Sequence, residues 1–319
     1  MLKAQSKIIL LVLINLFLII SIDIYSQRNF KNDISDDAFE AKLKFLTEAY
    51  PCAKIIISGD SRADRQIIPD LIKDSLKSEV INVSNGGLDL ITIYNGLIRY
   101  KLLDSLHTII ITLSSVQIND GIGESNNVYI SKASLNNTDI LDKLKIMKLN
   151  YFYNLQRIFK NIFLKKIIAN KLDINDALVN TRGFISVNTI LDTNNNFELK
   201  NHSWYENLSY NGVRREQFIK TLNKFGENHY NIVFIQPPVA PLWCKIVKQY
   251  PDIDLFEKEF CTLIKNECSK YDKLIFLDYY NNPIPELTND KFFNLQHLNY
   301  NGAVIFTNKI INILNNFKK

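Results

Sequence analysis

Five short runs rich in β-branched and other apolar residues constrain this chain most: Lys54 to Ser58, Val80 to Ser84, Thr108 to Leu113, Ile232 to Gln236 and Leu274 to Asp278. Continuous apolar runs of this length suit strands buried on both faces of a parallel sheet, and they do not alternate as half-exposed strands would. Helical stretches separate the first three runs, Asp64 to Ser78 and Leu90 to Ser105. The resulting β-α-β-α-β order predicts an α/β fold with a parallel, doubly wound central sheet. Further helices are predicted over Asn211 to Gly226, Asp254 to Tyr271 and Gly302 to Phe317, the last capped by Asn299. Gln236-Pro237-Pro238 ends the fourth strand, because proline cannot donate to a ladder.

The turn after the first run reads Gly59-Asp60-Ser61-Arg62, so a hydroxyl is expected at the carboxyl end of a buried strand. That edge is where open α/β sheets bind ligands. A histidine, His297, stands in His297-Leu298-Asn299-Tyr300-Asn301-Gly302-Ala303, just before the last helix. Ser61 and His297 are therefore candidates for a nucleophile and its general base. Asn85-Gly86-Gly87 follows the second strand, where glycine lets a backbone amide approach a substrate closely.

Gly59-Asp60-Ser61, the glycines after the second strand and His-Leu-Asn-x-x-Gly-Ala before the final helix together resemble the SGNH (GDSL-like) hydrolase superfamily. The resemblance covers most of residues 50 to 319 and implies a flavodoxin-like three-layer fold. It implies Ser61 as nucleophile, His297 as base, and an oxyanion hole from the Ser61 amide, Gly86 or Gly87 and an asparagine side chain. Two departures stand out. The family places an aspartate three residues before the histidine, and here Asn294 occupies that place; Asp290, four residues earlier, is the alternative orienter. The family's Gly-x-Asn-Asp block after the third strand is missing, and Asn119-Asp120 is a displaced candidate whose other reading is an Asx turn.

The amino terminus carries a second signal. Ile8 to Ile22 is almost uninterrupted Ile, Leu, Val and Phe behind Lys3 and Lys7; about 15 to 18 helical residues at 1.5 Å each give roughly 25 Å, a marginal membrane span. Residues 1–27 are expected to form an uncleaved anchor, since no Ala-x-Ala cleavage site follows, with the basic flank inside the cell. Residues 28–319 then form one domain, expected in the periplasm or on the surface of a bacterial cell and tethered to its inner membrane. It carries a helical insertion at about 119–230, within which residues 141–172 hold eight basic residues and one acid. That stretch reads as a basic amphipathic helix or helix pair, packed on the core or lying on an anionic membrane.

A formal charge of +5 with scattered lysines does not imply nucleic acid. Cys52, Cys244, Cys261 and Cys268 lack metal-ligand spacing and read as buried free thiols. His107, His202 and His229 have no paired carboxylate, and no metal or cofactor is implied. The expected function is an extracytoplasmic serine esterase or O-acyltransferase acting on acyl esters, O-acetyl above all, of a surface glycan. The resemblance adds a multipass membrane acyltransferase as a partner. The competing expectations are a catalytically weakened accessory or glycan-binding protein on the same fold, for which Asn294 is the symptom, and a lipase, which would require an apolar acyl groove.

Overall fold

The computed structural model describes residues 34–103, 107–121, 180–194, 205 and 207–317. The anchor at 1–27 and the basic stretch at 141–172 lie outside these residues. Among the described residues no helix is long and apolar enough to cross a membrane. The elements run α1 (Ile34–Ala49), β1 (Ile55–Ser58), α2 (Ser61–Gln66), α3 (Pro69–Leu76), β2 (Val80–Asn82), α4 (Leu90–Arg99) and β3 (Thr108–Thr112). They continue through a 3₁₀ turn (Ser115–Ile118), α5 (Val213–Glu227), β4 (Asn231–Gln236), α6 (Pro241–Val247), α7 (Pro251–Cys268), β5 (Leu274–Asp278), a second 3₁₀ turn (Asn289–Lys291) and α8 (Tyr300–Phe317).

All five strands are parallel, in the order β2-β1-β3-β4-β5. Isoleucines at 55, 56, 57, 109, 110 and 111 are buried, as a sheet covered on both faces requires. Helices α2 and α3 pack against α8, while α5 packs against α4 and α7, an arrangement consistent with three layers. The strand order reverses beside β1, and successive connections leave β1 and β3 in opposite directions. The crevice thus formed at their carboxyl ends is the topological switch point of the sheet.

Local chemistry explains where the elements depart from their sequence-based bounds. The single helix expected over Asp64 to Ser78 is two, because Pro69 forces Ile68 into an extended conformation at φ −93°, ψ 110°. The helix expected to reach Ser105 ends at Arg99, with Lys101 left-handed at φ 56°. Helix α6 was not anticipated; Pro241 sits at its start, where a missing N–H costs nothing. Pro251 likewise starts α7 before the expected Asp254. At α8 the expected cap is present: Asn299 Oδ1 accepts the Gly302 amide at 3.1 Å. All four cysteines are free, but Cys52 is exposed and Cys244 half-buried, so only Cys261 and Cys268 fit the buried-thiol expectation.

The crossing from β1 to α2 depends on Gly59. Its φ is +141°, and a Cβ there would lie 2.1 Å from Thr112 Oγ1 and 3.0 Å from the Thr112 amide on neighbouring β3. Gly86 has open space instead, its nearest neighbour being Ser61 Cβ at 4.0 Å. Gly59→Ala should therefore lower the free energy of unfolding in urea by at least about 2 kcal/mol, and Gly86→Ala by less than about 1 kcal/mol. Equal costs would show that the approach of β1 to β3 does not limit this turn.

Candidate active site

The serine is set by its turn. Asp60 caps α2 by accepting the Arg62 amide at 2.9 Å, which leaves Ser61 as the first helical residue. The Asp60 carboxylate also accepts from Arg62 Nη2 at 3.2 Å and Thr112 Oγ1 at 3.3 Å, and Arg62 Nη2 donates to the Leu113 carbonyl. One acid thus fastens the Ser61 turn to the end of β3. From beneath, Lys42 Nζ on α1 donates to Asp64 Oδ1 at 2.6 Å and to the Ser84 and Gly183 carbonyls at 2.8 Å each. That cation therefore joins α2 to the segment after β2.

The histidine arrives from the other end of the sequence. The loop after the second 3₁₀ turn closes as Phe293 N donates to the His297 carbonyl at 3.0 Å. Gln66 Nε2 of α2 donates to the Gln296 carbonyl at 2.8 Å, tying that loop to the serine helix. Ser61 Oγ and His297 Nε2 are then 2.8 Å apart. On the far side of the ring, His297 Nδ1 lies 3.0 Å from Asn294 Oδ1, which also accepts the Gln296 and His297 amides, both at 2.9 Å. Three N–H groups converging on one oxygen fix the amide's orientation. The ring must carry its proton on Nδ1, which leaves Nε2 free to accept from Ser61.

Ser61, His297 and Asn294 are therefore brought together in one relay. Asp290, the alternative orienter, is not: its carboxylate accepts from Lys291 Nζ at 2.5 Å and from Thr288 Oγ1. Asp290 serves the site through its backbone, its carbonyl accepting from Asn299 Nδ2 at 2.7 Å. A residue four before Asn294 lies on the 3₁₀ turn, where its side chain caps local structure rather than reaching the ring.

Burial of the His297 imidazole pushes its pKa down to about 4, with the Asp60 carboxylate pulling upward and the Arg62 and Arg65 guanidiniums pushing downward. The ring is neutral at physiological pH. A neutral imidazole bonded to a hydroxyl can take that proton as the oxygen attacks a carbonyl.

A pocket of about 260 Å³ opens beside this pair. Ser61, Gly86 and Gly87 line it, and no backbone hydrogen bond among the described residues takes up the Ser61 or Gly86 amide. Asn119 does not line it. Its side chain is buried, and Oδ1 accepts the Gly121 and Ser209 amides at 3.0 Å each, so the Asx turn is the reading that holds. Gln117 is one of three glutamines at the pocket, with Gln217 and Gln296, and its Nε2 donates to the Leu88 carbonyl at 2.9 Å. Its place two residues before Asn119, in a turn straight after β3, was the available signal.

A third group was not legible at all. Glu257 of α7 is buried and accepts from Ser115 Oγ at 2.6 Å, Tyr205 Oη at 2.9 Å and Gln236 Nε2 at 3.2 Å. Tyr205 Oη in turn accepts from Gln296 Nε2 at 3.2 Å. A single carboxyl, raised by burial against the pull of its donors, thereby joins the turn bearing Gln117 to the residue before His297. No protein-family model matches the chain and no curated protein sequence matches it, so the reading of this site rests on its geometry.

The depressed histidine gives a direct test. In an NMR titration of the resting protein, His297 should protonate near pH 4 rather than near its ordinary value of about 6.5. Asn294→Asp places a negative charge beside Nδ1–H, which favours the imidazolium and must raise that pKa by at least about one unit. A wild-type midpoint near 6.5 would show that the ring is not desolvated, and a midpoint that Asn294→Asp leaves unmoved would remove Asn294 from the orienting position.

Proposed function

We propose that this protein is a serine-dependent ester hydrolase or O-acyltransferase of the SGNH type, acting on acyl esters of a surface carbohydrate, O-acetyl groups among them. The observation that carries the reading is the continuous relay Ser61 Oγ, His297 and Asn294 Oδ1, with spacings of 2.8 and 3.0 Å, at the switch point of a parallel sheet. As Ser61 Oγ attacks the acyl carbon, its proton passes to His297 Nε2 and a tetrahedral oxyanion forms. The Ser61 and Gly86 amides are the donors available to that oxyanion. Collapse breaks the ester C–O bond, and His297 returns the proton to the leaving oxygen. Water or a sugar hydroxyl then attacks the Ser61 acyl ester by the reverse of these steps, releasing the acid or the acylated acceptor.

In this reading residues 1–27 tether the domain to the bacterial inner membrane, with residues 28–319 in the periplasm or at the cell surface. The resemblance to anchored members of the superfamily supports a multipass membrane acyltransferase as the supplier of acyl groups. Nucleic acid has no part in it, and the chemistry uses no cofactor.

Ser61→Ala and His297→Ala should each reduce ester turnover by several orders of magnitude, and the double variant should be little worse than either, because the two act as a unit. A fluorophosphonate should label wild-type protein at Ser61 and leave Ser61→Ala unlabelled. If wild type resists the probe and the variants keep wild-type glycan acylation in the cell, the chain is a binding or accessory protein instead.

A further inference from the structure

The surface of the pocket beside Ser61 is mainly apolar, although most of the residues that line it are polar and only hydrogen-bonding groups are needed to process an ester. Leu88 and Leu90 come from the segment that enters α4, Val116 from the turn after β3, and Phe218 from α5. Ile91 completes the wall from the first turn of α4. Leu88, Leu90 and Phe218 are fixed in the core, and the Phe218 ring lies 5.7 Å from that of Phe260. Ile91 and Val116 are only half-buried, so they keep apolar surface that a bound group can remove from water.

An acetyl group presents one methyl to such a wall, and a pocket of about 260 Å³ is far larger than that methyl. Concave, rigid and apolar surface of this kind is the lining of a small-molecule site. Its polar members beyond Ser61 and His297, among them Asp89, Gln117, Arg214 and Gln217, suit the alcohol part of an ester rather than its acyl chain. Resting on the serine-esterase reading, we propose that this pocket is an acyl-chain site, and that Ser61 takes acyl groups of about four to six carbons in preference to acetyl.

Each added methylene that leaves water favours binding about fourfold. Across p-nitrophenyl acetate, butyrate and hexanoate, kcat/KM of the full chain should rise at least about tenfold from the first to the last. Ile91→Trp fills the pocket and should bring that ratio to about one or below; Val116→Phe does the same from the turn after β3, should the first variant fold poorly. A second arm measures binding of p-nitrophenyl hexanoate and acetate to Ser61→Ala by calorimetry, where no turnover is needed. Preferential hexanoate binding that Ile91→Trp abolishes, without turnover by wild type, would keep the acyl site and reject the esterase reading. Turnover with equal kcat/KM for acetate and hexanoate would keep the esterase and overturn the acyl site. Loss of both turnover and binding would reject the two together.

Discussion

A parallel sheet covered on both faces has only its edges and ends available for polar chemistry, and everything distinctive in this molecule follows from that constraint. The strands β1, β3 and β4 are buried almost without interruption, so they carry no reactive group themselves. Polar groups gather where the strands stop: the Asp60 and Ser61 side chains after β1, the Gly86 amide after β2, and the Ser115 and Gln117 side chains after β3. Because β2 lies on one side of β1 and β3 on the other, these segments diverge and leave a crevice between them. His297 enters it from 236 residues away. Parallel connections send each strand back to the same end, so the order of the strands, more than their sequence distance, determines what can meet at the crevice.

The buried polar groups around the crevice are better understood as positioners than as sources of stability. Lys42 and Asp64 are among the least exposed charges in the protein, and burial drives each toward its neutral form while their mutual attraction resists. An ion pair in that setting gains little net free energy over a well-packed apolar pair, whereas removing one partner costs about 3–5 kcal/mol. What the pair supplies is direction: one ammonium fixes α2, the Ser84 carbonyl and the Gly183 carbonyl at the same time. Glu257 does the same on the far side, with Ser115 and, through Tyr205, Gln296 as its dependants. The two clusters bracket the Ser61–His297 pair, and neither touches it.

The sequence made the frame legible and left most of its bracing hidden. Strands of Ile, Val and Phe bounded by turn residues are local signals, as are Gly59-Asp60-Ser61 and the His297 segment, and their positions in the fold follow from strand order alone. The broken helix at Pro69 was equally local, since proline restricts the residue before it, but a continuous apolar period across Asp64 to Ser78 masked it. Glu257, Lys42 and Gln66 have no such signature. Each sits on a helix with ordinary helical neighbours, and its role comes from a partner between 22 and 230 residues away. Asn119 was misleading for the opposite reason: it looks like a site residue in isolation, and its two backbone donors at Gly121 and Ser209 make it a turn.

Asn294 gives the site its particular electrostatic character. Its oxygen faces the imidazole Nδ1, with three N–H donors holding it, but it brings no charge. The nearest help comes from Asp60, and that carboxylate is already paired with Arg62 at 3.2 Å. Lowering His297 from its ordinary pKa to about 4 means that forming the imidazolium in the resting site costs about 3 kcal/mol more than in water. The base is thus always free to accept a proton and reluctant to keep it. In a reaction of the proposed kind the compensating charge would have to be the oxyanion itself, formed beside the Ser61 and Gly86 amides at the moment His297 becomes positive. An interaction that exists only in the transition state raises turnover without tightening the hold on the ground state. In that reading, an amide in place of a permanent carboxylate would shift the burden from the residue that orients His297 to the oxyanion donors, and the placement of Gly86 would matter more than it would beside an aspartate.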